Sequence, residues 1–151
     1  MILDIIYATQ TGNAETIAKK LQSLAKSHGF LVNLNEMNYH NIDTFRQLKH
    51  VAIITSTYGN GDVPEMGIEF WEELKSSNNE MKSLNYGLIA LGDKSHEIFC
   101  GAGKAISKKL DELGCKKIIE NLECDGDTEG SFEWSIEFLK RLKSKKNHDK
   151  I

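Results

Sequence analysis

The sequence predicts a doubly wound α/β domain built on a five-stranded parallel sheet. Short apolar runs that read as buried strands alternate with segments of helical period along the chain. No composition break, repeat or low-complexity linker interrupts the alternation. Two of the strands also run directly into polar, glycine-bearing loops, TQTGN (Thr9 to Asn13) and STYGNGD (Ser56 to Asp62). In an open parallel sheet, ligands bind outside the carboxyl ends of the strands where strand order reverses. Two such loops therefore predict one shared pocket, shaped for a phosphorylated planar ring.

Strand one is expected over residues 2–7. From Asn13 the spacing Ala14, Ile17, Ala18, Leu21, Leu24, Ala25 lines up one apolar helical face, and Gly29 ends that helix. Residues 30–34 supply the second strand, a short polar helix covers residues 42–48, and residues 51–56 form the third strand. The third helix runs through Phe70, Trp71 and Leu74, with residues 86–91 as the fourth strand. After the loop LGDKSHEIF comes a helix with Ala102, Ile106, Leu110 and Leu113 on one side, stopped by Gly114. A fifth strand is expected over residues 117–122, and a last helix carries Trp134, Phe138 and Leu142. Strands alternating with helices close into a parallel sheet through right-handed crossovers.

At 151 residues the chain is one domain's worth, expected over residues 1–142, and a domain of this size buries about 70% of the surface its unfolded form exposes. Residues 143–151 are expected as a basic, disordered tail. Apolar residues make up 40% and charged ones 27%, which excludes a disordered or collagen-like chain. No apolar run reaches the roughly 20 residues of a membrane helix, and Asp4 interrupts the start where a signal peptide would stay apolar, so a cytoplasmic protein is expected. Cys100, Cys115 and Cys124 are odd in number and show no CxxC spacing, which points to reduced thiols rather than a disulfide framework or a metal site. The net charge of -3 hides an asymmetry. Residues 140–151 hold six of the nineteen Lys+Arg and one of the twenty-two acids, leaving 13 basic and 21 acidic groups, a balance of -8, on residues 1–139. Such a body repels nucleic acid and membrane surfaces and attracts basic protein faces.

No lysine or arginine occurs before Lys19, yet Thr9, Gln10, Thr11 and Asn13 crowd the start of helix one. A dianionic phosphate can be held there by backbone NH groups and threonine hydroxyls alone. The helix dipole contributes about 0.3 to 1 kcal/mol and each hydrogen bond to a charged group about 1.5 to 3 kcal/mol, so the converging donors dominate. Gly12 lets the backbone come close. Neither GxxxxGK[ST] nor GxGxxG is present. Helix capping by Thr11 or Asn13 is the competing explanation for this loop. In the second loop Ser56, Thr57, Gly59 and Gly61 offer small polar groups and a pliable backbone around Tyr58, whose aromatic face suits stacking.

The third loop, LGDKSHEIFCGAGK from Leu91 to Lys104, makes the pattern specific. TQTGNAE, STYGNGDVPE and LGDKSHEIFC, in this order and each after a strand, resemble the three FMN-contacting segments of the flavodoxin family. Within it the chain is similar to the flavodoxin-like domains of diflavin reductases such as the sulfite reductase flavoprotein. FCGAGK after the third segment resembles MioC-type single-domain flavodoxins. The resemblance covers the chain from strand one to Trp134 and implies strand order 2-1-3-4-5. It places Thr9, Gln10, Thr11, Gly12, Asn13 and Ala14 around the FMN phosphate. Ser56, Thr57, Tyr58, Gly59 and Gly61 then line one side of the isoalloxazine ring, with Tyr58 stacked on it. Leu91, Gly92, Asp93, His96, Phe99 and Cys100 form the other wall, and Asp125 in CDGD matches an acidic position near the ribityl chain. His96 departs from the pattern, which has an aromatic, usually tyrosine, as the second stacking partner. Gly59 is expected to let the Tyr58 loop rotate so that its carbonyl meets the reduced ring nitrogen.

Single residues have second readings. His96 can face solvent as an ordinary loop histidine, and Cys100 suits a small buried hydrophobe. Trp71 and Trp134 fall on apolar helical faces. The acids on or just after the flavin-side loops, Asp62, Glu65, Glu69, Asp93, Glu97, Asp127 and Glu129 among them, would steer a basic partner and disfavour an anionic reduced ring. The resemblance implies a one-domain, FMN-dependent electron carrier rather than an enzyme. A separate NAD(P)H-dependent flavoprotein reductase is then the donor, a metalloenzyme or radical enzyme the acceptor, and both present basic faces. The chain has no room for the FAD and nicotinamide domains of the larger reductases. The alternative from the enzyme class is a flavodoxin-fold NAD(P)H:quinone oxidoreductase. A phosphoacceptor signalling domain would need acids where the strand ends have Tyr7, Thr55 and Ser56.

Overall fold

A computed structural model of the chain describes residues 1–95 and 98–149. Its strands are β1 (Ile2–Ala8), β2 (Leu31–Glu36), β3 (His50–Thr55), β4 (Asn85–Gly92), β5 (Lys116–Lys117) and β6 (Leu122–Asp125). The helices are α1 (Asn13–Ser27), α2 (Ile42–Phe45), α3 (Ile68–Ser76), α4 (Gly101–Glu112) and α5 (Ser131–Asp149). All pairings between strands are parallel, in the order β2-β1-β3-β4 with β5 and β6 both on the outer side of β4. This is the doubly wound order expected from the sequence.

Helices cover both faces, so the central strands read as unbroken apolar runs rather than as alternating ones: every residue of β3 is buried, as is β4 up to Leu91. Period-two geometry deals their side chains to two cores. Ile6, Ile53, Tyr86, Leu88 and Ala90 pack with Phe45, Phe70, Leu74, Ile106 and Leu110 on the α3/α4 side. Leu3, Ile5, Ala52, Ile54, Ile89 and Leu91 pack with Ile17, Leu21, Phe138 and Leu142 on the α1/α5 side. Trp134 is buried and stacks on Phe138 with ring centroids 4.9 Å apart. Trp71 is half-buried against the α3/α4 core. Among the described residues no helix is long and apolar enough to cross a membrane.

Two elements differ from the expectation. The fifth strand is broken where the sequence suggested it would run. Tyr86 pairs with Lys117 and Ile89 with Leu122, so residues 118–121 bulge opposite Gly87 and Leu88. Helix α5 is the cause. The Trp134 indole NH donates to the Glu120 carbonyl at 3.0 Å and Arg141 Nη1 to that of Ile118 at 3.2 Å, diverting both from strand pairing. The aromatic bulk of α5 presses on the sheet here, since a Cβ at Gly87 would meet Phe138 at 2.7 Å. The second difference lies at the end of the chain. Leu142 is the last buried residue of α5 among those whose burial is described, at the point where the domain was expected to end, but the helix continues to Asp149. Lysine is a good helix former, and Lys143 sits 5.7 Å from the centre of the Phe30 ring, so this stretch is helical where fraying was expected. Smaller shifts occur at β2, which starts one residue late, and at α2, which ends at Phe45 rather than at residue 48.

Candidate functional site

The polypeptide leaves β1 toward β2 on one side of the sheet and β3 toward β4 on the other, so the carboxyl ends of β1 and β3 flank the point where strand order reverses. A cavity of about 330 Å³ opens there. Its walls come from all three loops singled out in the sequence and from a fourth segment after β6.

The first loop makes an open helix terminus. Gly12 takes the left-handed conformation at φ 98°, and no side chain caps α1. Thr9 Oγ1 accepts from the Gly12 NH at 2.8 Å, and the Gly12 carbonyl accepts from the Thr16 NH and hydroxyl, both at 3.0 Å. These bonds fix the loop while leaving the first-turn NH groups of α1 without a side-chain acceptor, so capping by Thr11 or Asn13 does not explain this sequence. Gln10, Thr11 and Asn13 line the cavity instead. Ala14 is wholly buried in the α1 core.

The second loop is a tight turn. Tyr58 and Asp62 exchange backbone bonds, Tyr58 N to Asp62 O at 2.7 Å and Asp62 N to Tyr58 O at 2.9 Å. Gly59 at φ 56° and Gly61 at φ 124° supply the backbone the turn requires, which L side chains rarely adopt. Tyr58 is 54% exposed at the cavity mouth, although a large aromatic ring gains by burial. Ser56, Thr57 and Gly59 line the same wall, and Thr57 Oγ1 is buried without a hydrogen-bond partner. A buried hydroxyl left unpaired costs about 1 to 3 kcal/mol, so its position beside the cavity marks a group shaped for a polar ligand.

The third loop contributes Leu91, Gly92 and Asp93. Asp93 Oδ1 accepts from the Ser95 NH at 2.8 Å. Asp125 lies outside the lining: its Oδ1 accepts from the Lys94 NH at 2.9 Å, so its carboxylate braces the third loop. Cys100 also stands back from the cavity. It is wholly buried in a left-handed conformation at φ 55°, with its thiol directed to the Ala90 carbonyl at 3.5 Å. Burial pushes the thiol up to about 11, so it stays protonated at neutral pH. Phe99 is half-buried between the ammonium groups of Lys94 and Lys104, 5.7 and 5.4 Å from its ring centre. Thr9, Gly12 and Gly61 shape the loops without facing the cavity. His96 lies outside the described residues.

Three lining residues were not anticipated: Ile98, Gly126 and Asp127. Ile98 had a signal, being the lone aliphatic residue in a polar stretch, and it is 50% exposed at the cavity. Gly126, at φ 71°, donates its NH to the Gly92 carbonyl at 2.7 Å and so brings the CDGD segment beside the third loop. Among the described residues no lysine or arginine lines the cavity, whereas Asp93 and Asp127 do. A larger groove of about 810 Å³ between α1 and α5 lies away from the strand ends and lacks the orphaned polar group found here.

Comparison with known proteins bears on this geometry. The family model described as Flavodoxin matches residues 5–137. The sulfite reductase [NADPH] flavoprotein alpha-component of Vibrio parahaemolyticus is 39% identical over 143 residues, 93% of this chain and 23% of that protein. Its counterpart in Bacillus subtilis is 33% identical over 140 residues, 91% and 23% respectively. The chain thus spans about a quarter of the length of these curated relatives. Among solved structures, the flavodoxin of Streptococcus pneumonia TIGR4 superposes with a TM-score of 0.84 at 25% identity, covering 96% of this chain and 99% of that one. Oxidised flavodoxin 2 from Bacillus cereus gives 0.82 at 22% identity, with 93% and 99% covered, a likeness of fold.

Proposed function

The chain belongs to the flavodoxin family, and from that premise we propose that it binds FMN and carries electrons between protein partners. The single observation that carries the reading is the pairing of an uncapped α1 with the orphaned Thr57 hydroxyl across one cavity at the strand-order reversal. These groups fit a phosphorylated ligand: NH donors and hydroxyls converge, Gly12 has open space where a Cβ would stand, and no cation is needed. Gln10, Thr11 and Asn13, with the uncapped NH groups at the start of α1, would hold the phosphate, Thr9 and Gly12 would shape the loop around it, and Thr57 would contribute its hydroxyl. Tyr58 and the Ser56–Gly61 turn would flank the ring on one side, and Leu91, Gly92, Asp93 and Ile98 on the other. FMN, when bound, supplies reversible one- and two-electron chemistry.

The remaining work falls to the protein. Leu91, Ile98 and Tyr58 exclude water from the ring faces, and the Tyr58 turn presents backbone groups to the ring edge. Asp93 and Asp127 disfavour additional negative charge on the ligand. The exposed acids Asp62, Glu65, Glu69, Asp93, Asp127 and Glu129 give the cavity mouth a field suited to basic-faced partners. We assign the donor to a separate NAD(P)H-dependent flavoprotein reductase and the acceptor to a metalloenzyme or radical enzyme. The name of the relatives, a flavoprotein component of an NADPH-dependent reductase, supports electron transfer as the theme.

The test is direct. Purified chain should be yellow or take up added FMN in calorimetry with one site per chain, and NADPH alone should not bleach the bound flavin. Colourless protein that gives no heat with FMN would overturn the reading. Rapid bleaching by NADPH would replace the carrier with an oxidoreductase.

A further inference from the structure

The second and third loops are joined by a close backbone contact. A Cβ placed on Gly101 would meet Gly61 Cα at 2.7 Å and Ile98 Cγ2 at 2.8 Å. A Cβ on Gly61 would stand 3.4 Å from the same Ile98 Cγ2. Gly61 of the Tyr58 turn is therefore seated against both Ile98 and the first residue of α4, in a space that exists only because Gly101 has no side chain. Helix α4 is a firm base for this seat: Ala102 and Ile106 are wholly buried, and a Cβ at Gly103 would overlap Ala90 Cβ. The turn, by contrast, has pliable joints in Gly59 and Gly61, both at positive φ.

We propose that Ile98 is a positioning residue, which through Gly61 and Gly101 sets the orientation of the Tyr58 turn and hence the protein groups offered to one edge of the cofactor. The proposal rests on the FMN reading for its functional meaning, but the mechanical contact stands without it. Ile98 and the start of α4 crowd Gly61 together, so rotation of the backbone between Tyr58 and Asp62 shifts Gly61 relative to Ile98. A side chain whose only task was to cover the ring would leave the turn of the flavin-free protein untouched. One that holds Gly61 would not. The distinction can be read at two amides, because Gly61 N and Asp62 N both donate to the Tyr58 carbonyl, at 3.4 and 2.9 Å.

The experiment uses the full chain and the variants Ile98→Ala and Ile98→Val. Valine keeps the Cβ and the Cγ2 that face Gly61 and Gly101, whereas alanine removes the Cγ2. Half-exposed Ile98 is not a core residue, so both variants should fold. In flavin-free protein, amide hydrogen exchange at Gly61 and Asp62 should be about fivefold faster in Ile98→Ala, unchanged at Phe70 and Leu110, and restored in Ile98→Val. In FMN-loaded protein the separation of the two one-electron potentials should shift in Ile98→Ala and return in Ile98→Val. Unaltered exchange at Gly61 and Asp62 in the alanine variant would overturn the proposal, whatever the flavin does. Faster exchange with unmoved potentials would overturn its functional half. Faster exchange in a protein that binds no FMN would uphold the mechanical contact and overturn the functional reading instead.

Discussion

At the β1 end of the cavity the backbone is tied down by Thr9 and Thr16 around one left-handed glycine, and the helix behind it turns its open NH groups outward. At the β3 end the backbone is a two-glycine turn held by one reciprocal pair of bonds and by the packing of Gly61 on Ile98 and Gly101. The first end suits a group whose charge does not change, and a rigid array of dipoles costs no reorganisation when it binds. The second suits a group whose hydrogen-bonding edge changes with its oxidation state, which a rigid turn could not follow. On the proposed FMN reading, affinity and redox tuning would fall to different loops of one small site.

The largest expected effect tests whether affinity resides at the first end. Riboflavin lacks the phosphate, and losing several hydrogen bonds of about 1.5 to 3 kcal/mol each should weaken binding by about a thousandfold or more relative to FMN. Titration calorimetry decides it, and affinities within tenfold of each other would dissolve the contrast. Next is Thr57→Val, which removes the orphaned hydroxyl while keeping the shape. Loss of one charge-assisted bond should lower FMN affinity by about tenfold or more, while urea unfolding of the flavin-free protein shows equal or higher stability because an unpaired buried group is gone. Lower stability in the flavin-free valine variant would mean that the hydroxyl already has a structural role.

The second end is tested by Gly59→Val. Placing a branched residue at φ 56° costs about 1 to 2 kcal/mol, and if the turn moves on reduction the strain should alter the separation of the two one-electron potentials by about 40 to 90 mV. Spectroelectrochemistry measures it, and an unchanged separation with intact FMN affinity would show that the turn does not move. The smallest effect concerns Cys100, behind the third loop. Burial raises its folded pKa to about 11 from an ordinary value of 9.0. The folded form therefore keeps a proton that the unfolded form gives up. Its contribution is complete below about pH 9 and is lost as pH rises toward about 11, so stability falls with pH across that window. Cys100→Ala should flatten the slope of urea stability between pH 9 and pH 10, and the native thiol should resist iodoacetamide at pH 8.

The strands and the site loops were legible in the sequence to different degrees, for physical reasons. β1, β3 and β4 stand out because burial on both faces leaves continuous apolar runs, and α1 because its five buried residues keep a helical period. The break in the fifth strand was hidden, since it depends on Trp134 and Arg141, residues distant in sequence that bind the carbonyls of Glu120 and Ile118. The continuation of α5 past Leu142 was hidden because polar lysine-rich sequence carries no burial pattern. In the site, glycine and hydroxyl positions announced the loops. Asp125, matched by the resemblance to an acidic position near the ribityl chain, stands outside the cavity lining, and the bond that its carboxylate accepts from the Lys94 NH had no signal in the sequence. Ile98 was passed over although it stands out as the lone aliphatic residue of a polar stretch, because its packing on Gly61 joins residues distant in sequence.

The bulge between β5 and β6 also governs how copies of this chain can meet. An uninterrupted outer strand would offer a template on which a neighbouring molecule could add its own strand. Here that margin is divided into runs of two and four residues, and two carbonyls of the intervening segment are occupied by α5. At the opposite margin the six residues of β2 run unbroken, so that edge is guarded by the charge of Glu36 rather than by a break in the strand.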